Sequence, residues 1–358
     1  MNKLLPLKNL QKPTLLSHPI RSLSTSSSKF QLAESKVDEI DSKMAEFEVE
    51  EIQLDLTYGQ IAGKWWGSKE KRPILMVHGW QDSAGSFDVL IPLLPRDYSY
   101  LAIDLPGHGF SSHLPKGCYY HTIDLVPLLE EIRLKMKWDR LSLISHSMGA
   151  IVSFFYAALF PERVDLVVAL DTLKMQHHHP KYTERIYTWR TKRLIELIEN
   201  FKEQAPEYTN EELIRRVHEG SMRSVDIDKT KYMIDRGTRP SPNDPDKFYF
   251  TRDIRVKYMQ PFYVEQSIGL DYIKKIQAAY LFIKAEDRDF SEPEKHLREA
   301  VDLFRRVNKN FEMLRVKGTH HVHLNQPELI AGKICQFIKR HHIQEEQPNI
   351  DVRLKSKL

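Results

Sequence analysis

The chain has 358 residues, of which 41% are hydrophobic, with 53 lysines and arginines against 49 aspartates and glutamates. This composition predicts a globular protein of one large domain or two ordinary ones, and its longest apolar runs fall far short of the ~20 residues that a membrane helix needs. The two cysteines, Cys118 and Cys335, exclude a disulfide framework and a cysteine-rich metal site, and they suit a reducing intracellular compartment.

The formal net charge of +4 is concentrated at the two ends of the chain. Residues 1–33 carry five basic and no acidic side chains, and residues 351–358 carry a further +2, so residues 34–350 have a net charge of −3. A protein that binds nucleic acid needs a basic surface on its folded body. We therefore expect no nucleic-acid partner.

Both ends of the chain resemble targeting signals. Residues 1–33 are rich in lysine, arginine and serine, as in a mitochondrial presequence, with a disordered extension as the alternative. Ser356, Lys357 and Leu358 form the S-K-L address, which predicts recognition by the peroxisomal import receptor. Because a specific terminal tripeptide is a sharper signal than a biased composition, we favour the peroxisome, with the mitochondrion or both compartments as alternatives.

From residue 46 onward, segments typical of strands and helices alternate. Residues 47–56 and 59–66 predict a hairpin, and short apolar runs after it predict buried parallel strands. These runs are 74–77, 98–103, 141–144, 166–170, 279–283 and 311–316. Helical patterns occur at 120–137, 148–159, 293–306 and 327–341. The alternation predicts an α/β fold in which helices flank a mostly parallel sheet.

One long segment interrupts this alternation. Between about residues 172 and 270 we predict no strand, and charged helical patterns such as 187–201 and 211–217 dominate. An insertion of this size is most simply a helical cap over the carboxyl edge of the sheet, where open α/β sheets bind ligands. The predicted organisation is an extension at 1–33, a core at 46–171 and 271–342, a cap at 172–270 and a tail at 343–358.

The segment LSLISHSMGA, residues 141–150, runs from a predicted strand directly into a predicted helix through a turn centred on Ser147. Small residues, Ser145 and Gly149, lie two positions before and after it. A nucleophile elbow requires this, since larger side chains would clash across the strained turn. The usual pattern is G-x-S-x-G, and here serine replaces the first glycine. The segment predicts Ser147 as a nucleophile.

A serine hydroxyl needs a base within hydrogen-bond reach and an acid that orients the base. The candidate bases lie in KGTHHVHLNQPE, residues 317–328, between the last predicted strand and the last predicted helix. We choose His320 over His321 and His323, because it stands at the head of the loop that leaves the strand. A packing role is an equal alternative for His323.

Two places in the chain could supply the acid. Asp171 directly follows the predicted strand 166–170, whereas Glu286, Asp287 and Asp289 follow the predicted strand 279–283. Both strand ends lie at the carboxyl edge of the predicted sheet. We favour Asp171, since a charged run such as EDRD is commonly a solvated turn, and Asp287 and Asp289 stay open as alternatives.

Backbone N–H groups at two positions could stabilise a developing oxyanion. Met148 follows the predicted nucleophile, and Trp80 ends the segment VHGW, in which His78 and Gly79 favour a tight turn after a strand. Together, Trp80 and Met148 are the predicted oxyanion donors.

No cofactor or metal site is predicted. The run His177-His178-His179 could chelate a metal ion, but no carboxylate or cysteine has ligand spacing near it. An exposed loop of the cap is the better interpretation of these histidines.

Three segments, 72–113, 145–150 and 317–328, resemble the α/β-hydrolase superfamily. Within this superfamily, the serine hydrolase-like proteins are similar to this chain in the segments HGWQDSAGSFD, DLPGHG and LFIKA. The resemblance implies an eight-stranded sheet with a helical cap, a serine nucleophile at Ser147 and a base at His320. Some capped members place the acid after an earlier strand than usual, which matches Asp171.

The resemblance also implies a reaction. We expect a serine hydrolase that cleaves a carboxylic ester or thioester of a small or lipophilic acyl substrate through an acyl-enzyme on Ser147. A non-catalytic binding protein with the same fold is the alternative, and a lyase or transferase that uses the same triad is a further one.

Overall fold

The computed structural model describes residues 47–177, 180–200, 205–259, 263–287, 292–347 and 353–354. The targeting signals predicted at 1–33 and 356–358 lie outside these residues, as does the alternative acid Asp289. Those hypotheses stay predictions.

A central sheet runs through the described residues. Its strands are β1 (Val49–Leu56), β2 (Gly59–Trp66), β3 (Ile74–Val77), β4 (Tyr100–Ile103), β5 (Leu141–His146), β6 (Val164–Leu170), β10 (Ala279–Ala285), β11 (Phe311–Val316) and β12 (Arg353–Leu354). Their order is β11-β10-β6-β5-β3-β4-β2-β1-β12. The six strands from β11 to β4 are parallel, and β2, β1 and β12 add antiparallel pairs at one side. The α/β fold class predicted from the sequence is confirmed.

The strands at the centre of the sheet are buried on both faces. Every residue of β3, β4, β5, β6 and β10 is buried, as expected for short apolar strands covered by helices. One face packs on α1 (Leu125–Lys135), α2 (Met148–Leu159) and α7 (Glu294–Val307). The other face packs on α9 (Glu328–His341) and on two 3₁₀ helices at Ala84–Phe87 and Ile91–Leu93.

The segment between β6 and β10 forms the cap. Its helices are α3 (Pro180–Glu199), α4 (Asn210–Gly220), α5 (Thr230–Gly237) and α6 (Gln266–Ile273). A small antiparallel sheet accompanies them, made of β7 (Glu207–Tyr208), β9 (Phe248–Phe250) and β8 (Thr238–Pro240). The expectation that this segment contains no strand is wrong, because strands of two or three residues are too short to produce a readable alternation.

The C-terminal tail contributes a further strand to the central sheet. β12 pairs antiparallel with β1, with Ile52 opposite Leu354. Further in, the amide of Arg72 donates to the carbonyl of Glu345 at 2.8 Å. The tail therefore adds a ninth strand to the eight expected. None of the helices within the described ranges has the length and hydropathy to cross a bilayer.

Candidate active site

Ser147 is the single residue between β5 and α2, and its backbone conformation is strained. Its φ of 51° and ψ of −113° are rare for a residue with a side chain. The amide of Ser147 donates to the carbonyl of Leu170 at 3.1 Å, which ties the turn to the end of the neighbouring strand β6. The strand-to-helix turn thus presents the hydroxyl at the carboxyl edge of the sheet.

Two glycines allow the loop after β3 to approach this turn. A Cβ atom on Gly149 would lie 2.3 Å from the carbonyl oxygen of Val77, and one on Gly79 would lie 2.9 Å from His146 Nδ1 and 3.3 Å from Ser147 Cβ. The separations of 2.3 Å and 2.9 Å are not possible without a shift of the backbone or of the histidine ring. Only glycine at both positions permits this close contact.

The serine that replaces the first glycine of the elbow has a specific partner. Ser145 Oγ lies 2.6 Å from Ser153 Oγ on α2, and both residues are fully buried. The hydrogen bond offsets the cost of burying two hydroxyl groups. The departure from G-x-S-x-G is therefore accommodated by a second polar residue, eight positions along the chain, that sequence reasoning did not connect to it.

The structure brings Ser147, His320 and Asp171 into one hydrogen-bonded line. His320 Nε2 lies 2.8 Å from Ser147 Oγ, and His320 Nδ1 lies 2.6 Å from Asp171 Oδ2. With Nδ1–H donating to the carboxylate, Nε2 is left to accept the serine proton. A nucleophile, a base and an orienting acid require this arrangement.

Asp171 is held from three directions. It follows β6 with a φ of 54°, and its amide donates to the carbonyl of Ile283 at 2.7 Å. Its Oδ1 accepts from the amide of Ala285 and from Lys284 Nζ, each at 2.9 Å. Because Oδ1 is engaged in this way, Oδ2 is directed at His320. Lys284 is a residue of the site that the sequence did not single out.

The alternative acid Asp287 has a different set of contacts. Its Oδ2 accepts from the amide of Gly318 at 3.1 Å, and its own amide donates to the carbonyl of Gly318 at 3.0 Å. These bonds join the ends of β10 and β11. The other candidate histidines are also placed: His321 Nδ1 lies 2.7 Å from Ser224 Oγ of the cap, and His323 is fully buried.

The two predicted oxyanion donors flank the nucleophile. Met148 opens α2 directly after Ser147, and Trp80 follows Gly79, whose α-carbon is packed against the elbow. Within the described ranges, neither backbone amide donates a hydrogen bond to the protein.

Buried polar side chains fix the loop that carries Trp80. The amide of Leu105 donates to His78 Nε2 at 2.9 Å, and the amide of Gln81 donates to His108 Nε2 at 3.2 Å. Burial lowers the pKa of His78 to about 4, so its ring is a neutral acceptor at pH 7. Sequence reasoning used DLPGHG only for the resemblance and did not assign His108 this supporting contact.

The side chain of Trp80 reaches the cap. Its Nε1–H donates to the carbonyl of Val256 at 2.7 Å, and the Arg190 guanidinium lies 5.1 Å from the ring centroid. The residue that supplies a predicted oxyanion donor therefore also contacts the segment between β6 and β10.

The family model of the alpha/beta hydrolase fold matches residues 72–325 of this chain. A protein of Drosophila melanogaster named "Probable serine hydrolase" is 35% identical over 302 residues, covering 81% of this chain and 88% of its own length. A "Serine hydrolase-like protein" of Danio rerio is 32% identical over 300 residues, with the same two coverages of 81% and 88%.

Solved structures with the same architecture include a hypothetical protein of Pseudomonas aeruginosa PAO1. It is 25% identical with a TM-score of 0.69, over 82% of this chain and 99% of that chain. A thioesterase domain from the curacin biosynthetic pathway is 20% identical with a TM-score of 0.65, over 80% of this chain and 99% of its own. At that identity the second likeness concerns the fold alone.

Proposed function

Because the chain belongs to the α/β-hydrolase family, we propose that it is a serine hydrolase whose nucleophile is Ser147. The family and the fold support hydrolysis as the reaction. The observation that carries the choice of nucleophile is the line of short contacts from Ser147 Oγ through His320 to Asp171.

The proposed reaction is acyl transfer in two halves. Ser147 Oγ attacks the acyl carbon and gives its proton to His320 Nε2, while Asp171 stabilises the imidazolium that forms. The tetrahedral intermediate collapses, the leaving alcohol or thiol takes the proton from Nε2, and the acyl group stays on Ser147. Water then repeats the attack with His320 as base and releases the carboxylic acid and the free serine.

The oxyanion of each tetrahedral intermediate would be bound by the amides of Trp80 and Met148. The packing of Gly79 and Gly149 at the elbow supports this assignment, because it brings both peptide segments beside Ser147. One such donor is typically worth 10²–10³ in turnover, so these amides account for a large part of the proposed rate enhancement.

The substrate class that we propose is an ester or thioester of a lipophilic acyl group. The exposed indole of Trp80 faces cap elements that also carry aromatic pairs: Tyr187 lies 5.6 Å from Tyr263, and Trp189 lies 5.8 Å from Tyr258, between ring centroids. We infer that these aromatic side chains contact the acyl group, and such surfaces favour apolar acyl chains over charged ones.

The alternative of a non-catalytic binding protein is motivated by Ser145 in place of glycine at the elbow and by an acid that does not follow the usual strand. The Ser145–Ser153 hydrogen bond and the Asp171–His320 contact both weaken that alternative. A binding protein would also have no need for a strained backbone at Ser147.

A fluorophosphonate probe tests the proposal on the full-length chain. We expect the wild type to be labelled, Ser147→Ala to lose labelling, and the matched control Ser145→Gly, which restores the usual elbow pattern, to keep it. Equal labelling of Ser147→Ala and wild type would overturn the assignment of the nucleophile. A folded wild type that takes no label would favour the binding protein.

The acyl preference is tested separately with a series of p-nitrophenyl esters and matched thioesters of increasing chain length. We expect kcat/KM to rise from acetyl to octanoyl. A decline along the series would contradict the proposed lipophilic substrate.

A further inference from the structure

Three buried side chains from distant parts of the chain meet behind the elbow. Asp82 lies in the loop after β3, His146 ends β5, and His323 lies in α8 (Val322–Asn325). The candidate catalytic line does not include any of them. We propose that Asp82, His146 and His323 form a binding site for a divalent transition-metal ion, with Zn²⁺ as the ion that fits the ligand set best.

The positions of the ligand atoms support this. One atom from each residue lies within 4.8 Å of the other two, and His146 Nδ1 is 3.9 Å from Asp82 Oδ2. Tetrahedral Zn²⁺ with bonds of about 2.0–2.2 Å holds its ligands about 3.4 Å apart. The three side chains therefore need to close by roughly 1.4 Å at most.

The same atoms are polar groups that lack partners. Asp82 Oδ2, His146 Nδ1 and both ring nitrogens of His323 are buried without a hydrogen bond to any residue that the structure describes. The three residues are 5%, 1% and 0% exposed. Burying such groups unpaired is costly, and each one usually has an explanation such as an ion or an ordered water.

The other polar atoms of His146 and Asp82 make the hydrogen bonds that metal ligands commonly make. His146 Nε2–H donates to the carbonyl of His320 at 2.9 Å, which leaves the lone pair of Nδ1 directed at the cluster. Asp82 Oδ1 accepts from the amide of Ser83 at 2.7 Å, which leaves Oδ2 for the ion. Metal-ligating histidines commonly donate their second N–H to a carbonyl in this way.

The chemistry of the three side chains also suits a divalent cation. Neutral imidazoles and a carboxylate oxygen are ligands that Zn²⁺ accepts.

An ion at this position would connect the two segments that carry the nucleophile and the base. His146 precedes Ser147, and His323 lies in α8, three residues after His320. Binding to the folded state alone raises the melting temperature. We therefore expect metal-dependent stabilisation of this chain, and the expectation does not depend on its hydrolase activity.

The test uses two titrations of the metal-free, full-length protein. Binding of Zn²⁺ is measured by competition with a chromophoric chelator, and binding of Co²⁺ is measured by visible absorption. We expect one tightly bound equivalent, the absorption of a four-coordinate Co²⁺ ion and a higher melting temperature. Asp82→Asn and His323→Leu should each weaken binding at least tenfold and abolish the shift in melting temperature.

Two controls make the result specific. His342→Leu removes another histidine with a buried, unpartnered ring nitrogen, but one beside Arg72, so this variant should bind metal as the wild type does. Replacement of His177, His178 and His179 by alanine removes the run of three consecutive histidines, and one equivalent should still bind.

Three results would overturn the proposal. The first is the absence of stoichiometric binding by the wild type, which would indicate a buried water in place of an ion. The second is undiminished binding by both Asp82→Asn and His323→Leu. The third is loss of the bound equivalent when the histidines at 177–179 are replaced. Fluorophosphonate labelling of the same metal-free samples reports the nucleophile separately, so failure of the metal site and failure of the proposed function are distinguishable.

Discussion

The carboxyl edge of the sheet and the cap above it are held in place by different means. At the edge, Ser147 and Asp171 follow adjacent buried strands, and backbone hydrogen bonds and close glycine contacts set their positions. Buried charges contribute to the attachment of the cap: Arg236 pairs with the buried Asp104 at 2.9 Å and also with the more exposed Glu51 at 2.6 Å, and Lys174 pairs with Glu292. Backbone geometry therefore positions Ser147 and Asp171, whereas buried ion pairs contribute to holding the cap.

The largest expected effect breaks the candidate triad at its acid. Asp171→Asn should lower kcat on a p-nitrophenyl ester by about 10⁴-fold, as the loss of an orienting carboxylate does in serine proteases. Asp287→Asn is the matched control, and should change kcat little because Asp287 is bonded to Gly318. A larger loss in Asp287→Asn than in Asp171→Asn would assign the acid to the other strand end.

The next effect breaks the attachment of the cap. Arg236→Met leaves the fully buried Asp104 without its cation, and removal of one partner of a buried pair costs about 3–5 kcal/mol in the free energy of unfolding. Arg193→Met breaks the exposed pair with Glu196 in the same cap and should cost less than about 1 kcal/mol. Urea unfolding measures both, and similar losses in the two variants would show that the cap does not depend on its buried charges.

The stability of the loop that carries Trp80 should depend on pH through His78. Burial lowers the pKa of His78 to about 4 in the folded protein from its ordinary value of 6.5, so the unfolded chain takes up the proton first as the pH falls. Stability is therefore lost between about pH 6.5 and pH 4, by up to about 3 kcal/mol from this residue.

His78→Gln isolates this contribution, since glutamine does not titrate. The free energy of unfolding from urea titrations at pH 7 and pH 5 should fall less in His78→Gln than in the wild type. An equal fall in both proteins would mean that His78 does not carry the expected share.

Alanine substitutions of one glycine at the elbow and one in the cap should have the smallest effects. Gly149→Ala places a Cβ atom 2.3 Å from the carbonyl of Val77 and should destabilise the fold by about 1–3 kcal/mol. Gly220→Ala, at the end of α4, meets no described atom within 4 Å and should stabilise by about 0.5–1 kcal/mol. Thermal melts of the two variants test this, and a stabilising Gly149→Ala would contradict the close approach at the elbow.

The fold class could be predicted because its evidence is local. Four- to seven-residue apolar runs alternate with amphipathic helices, and buried parallel strands produce that pattern directly. The cap sheet and β12 could not be predicted, since strands of two or three residues have no periodicity of their own. Their pairing depends on which distant backbone segment lies beside them.

The candidate site was predictable wherever a residue directly follows a strand. Ser147 and Asp171 occupy such positions, and their roles remain predictions that the contacts with His320 support. Lys284 was missed, as was the buried cluster behind the elbow, because residues 82, 146 and 323 share no spacing in the sequence. Only the folded sheet brings such residues together.

We expect Ser147 to carry the acyl group during turnover, and this covalent intermediate can be trapped. Rapid mixing with a p-nitrophenyl ester, acid quench and peptide mass spectrometry should show a burst of one equivalent of nitrophenolate and the acyl mass on the peptide that contains Ser147. Steady release without a burst, with no acyl adduct on Ser147 or with the adduct on another residue, would contradict the account.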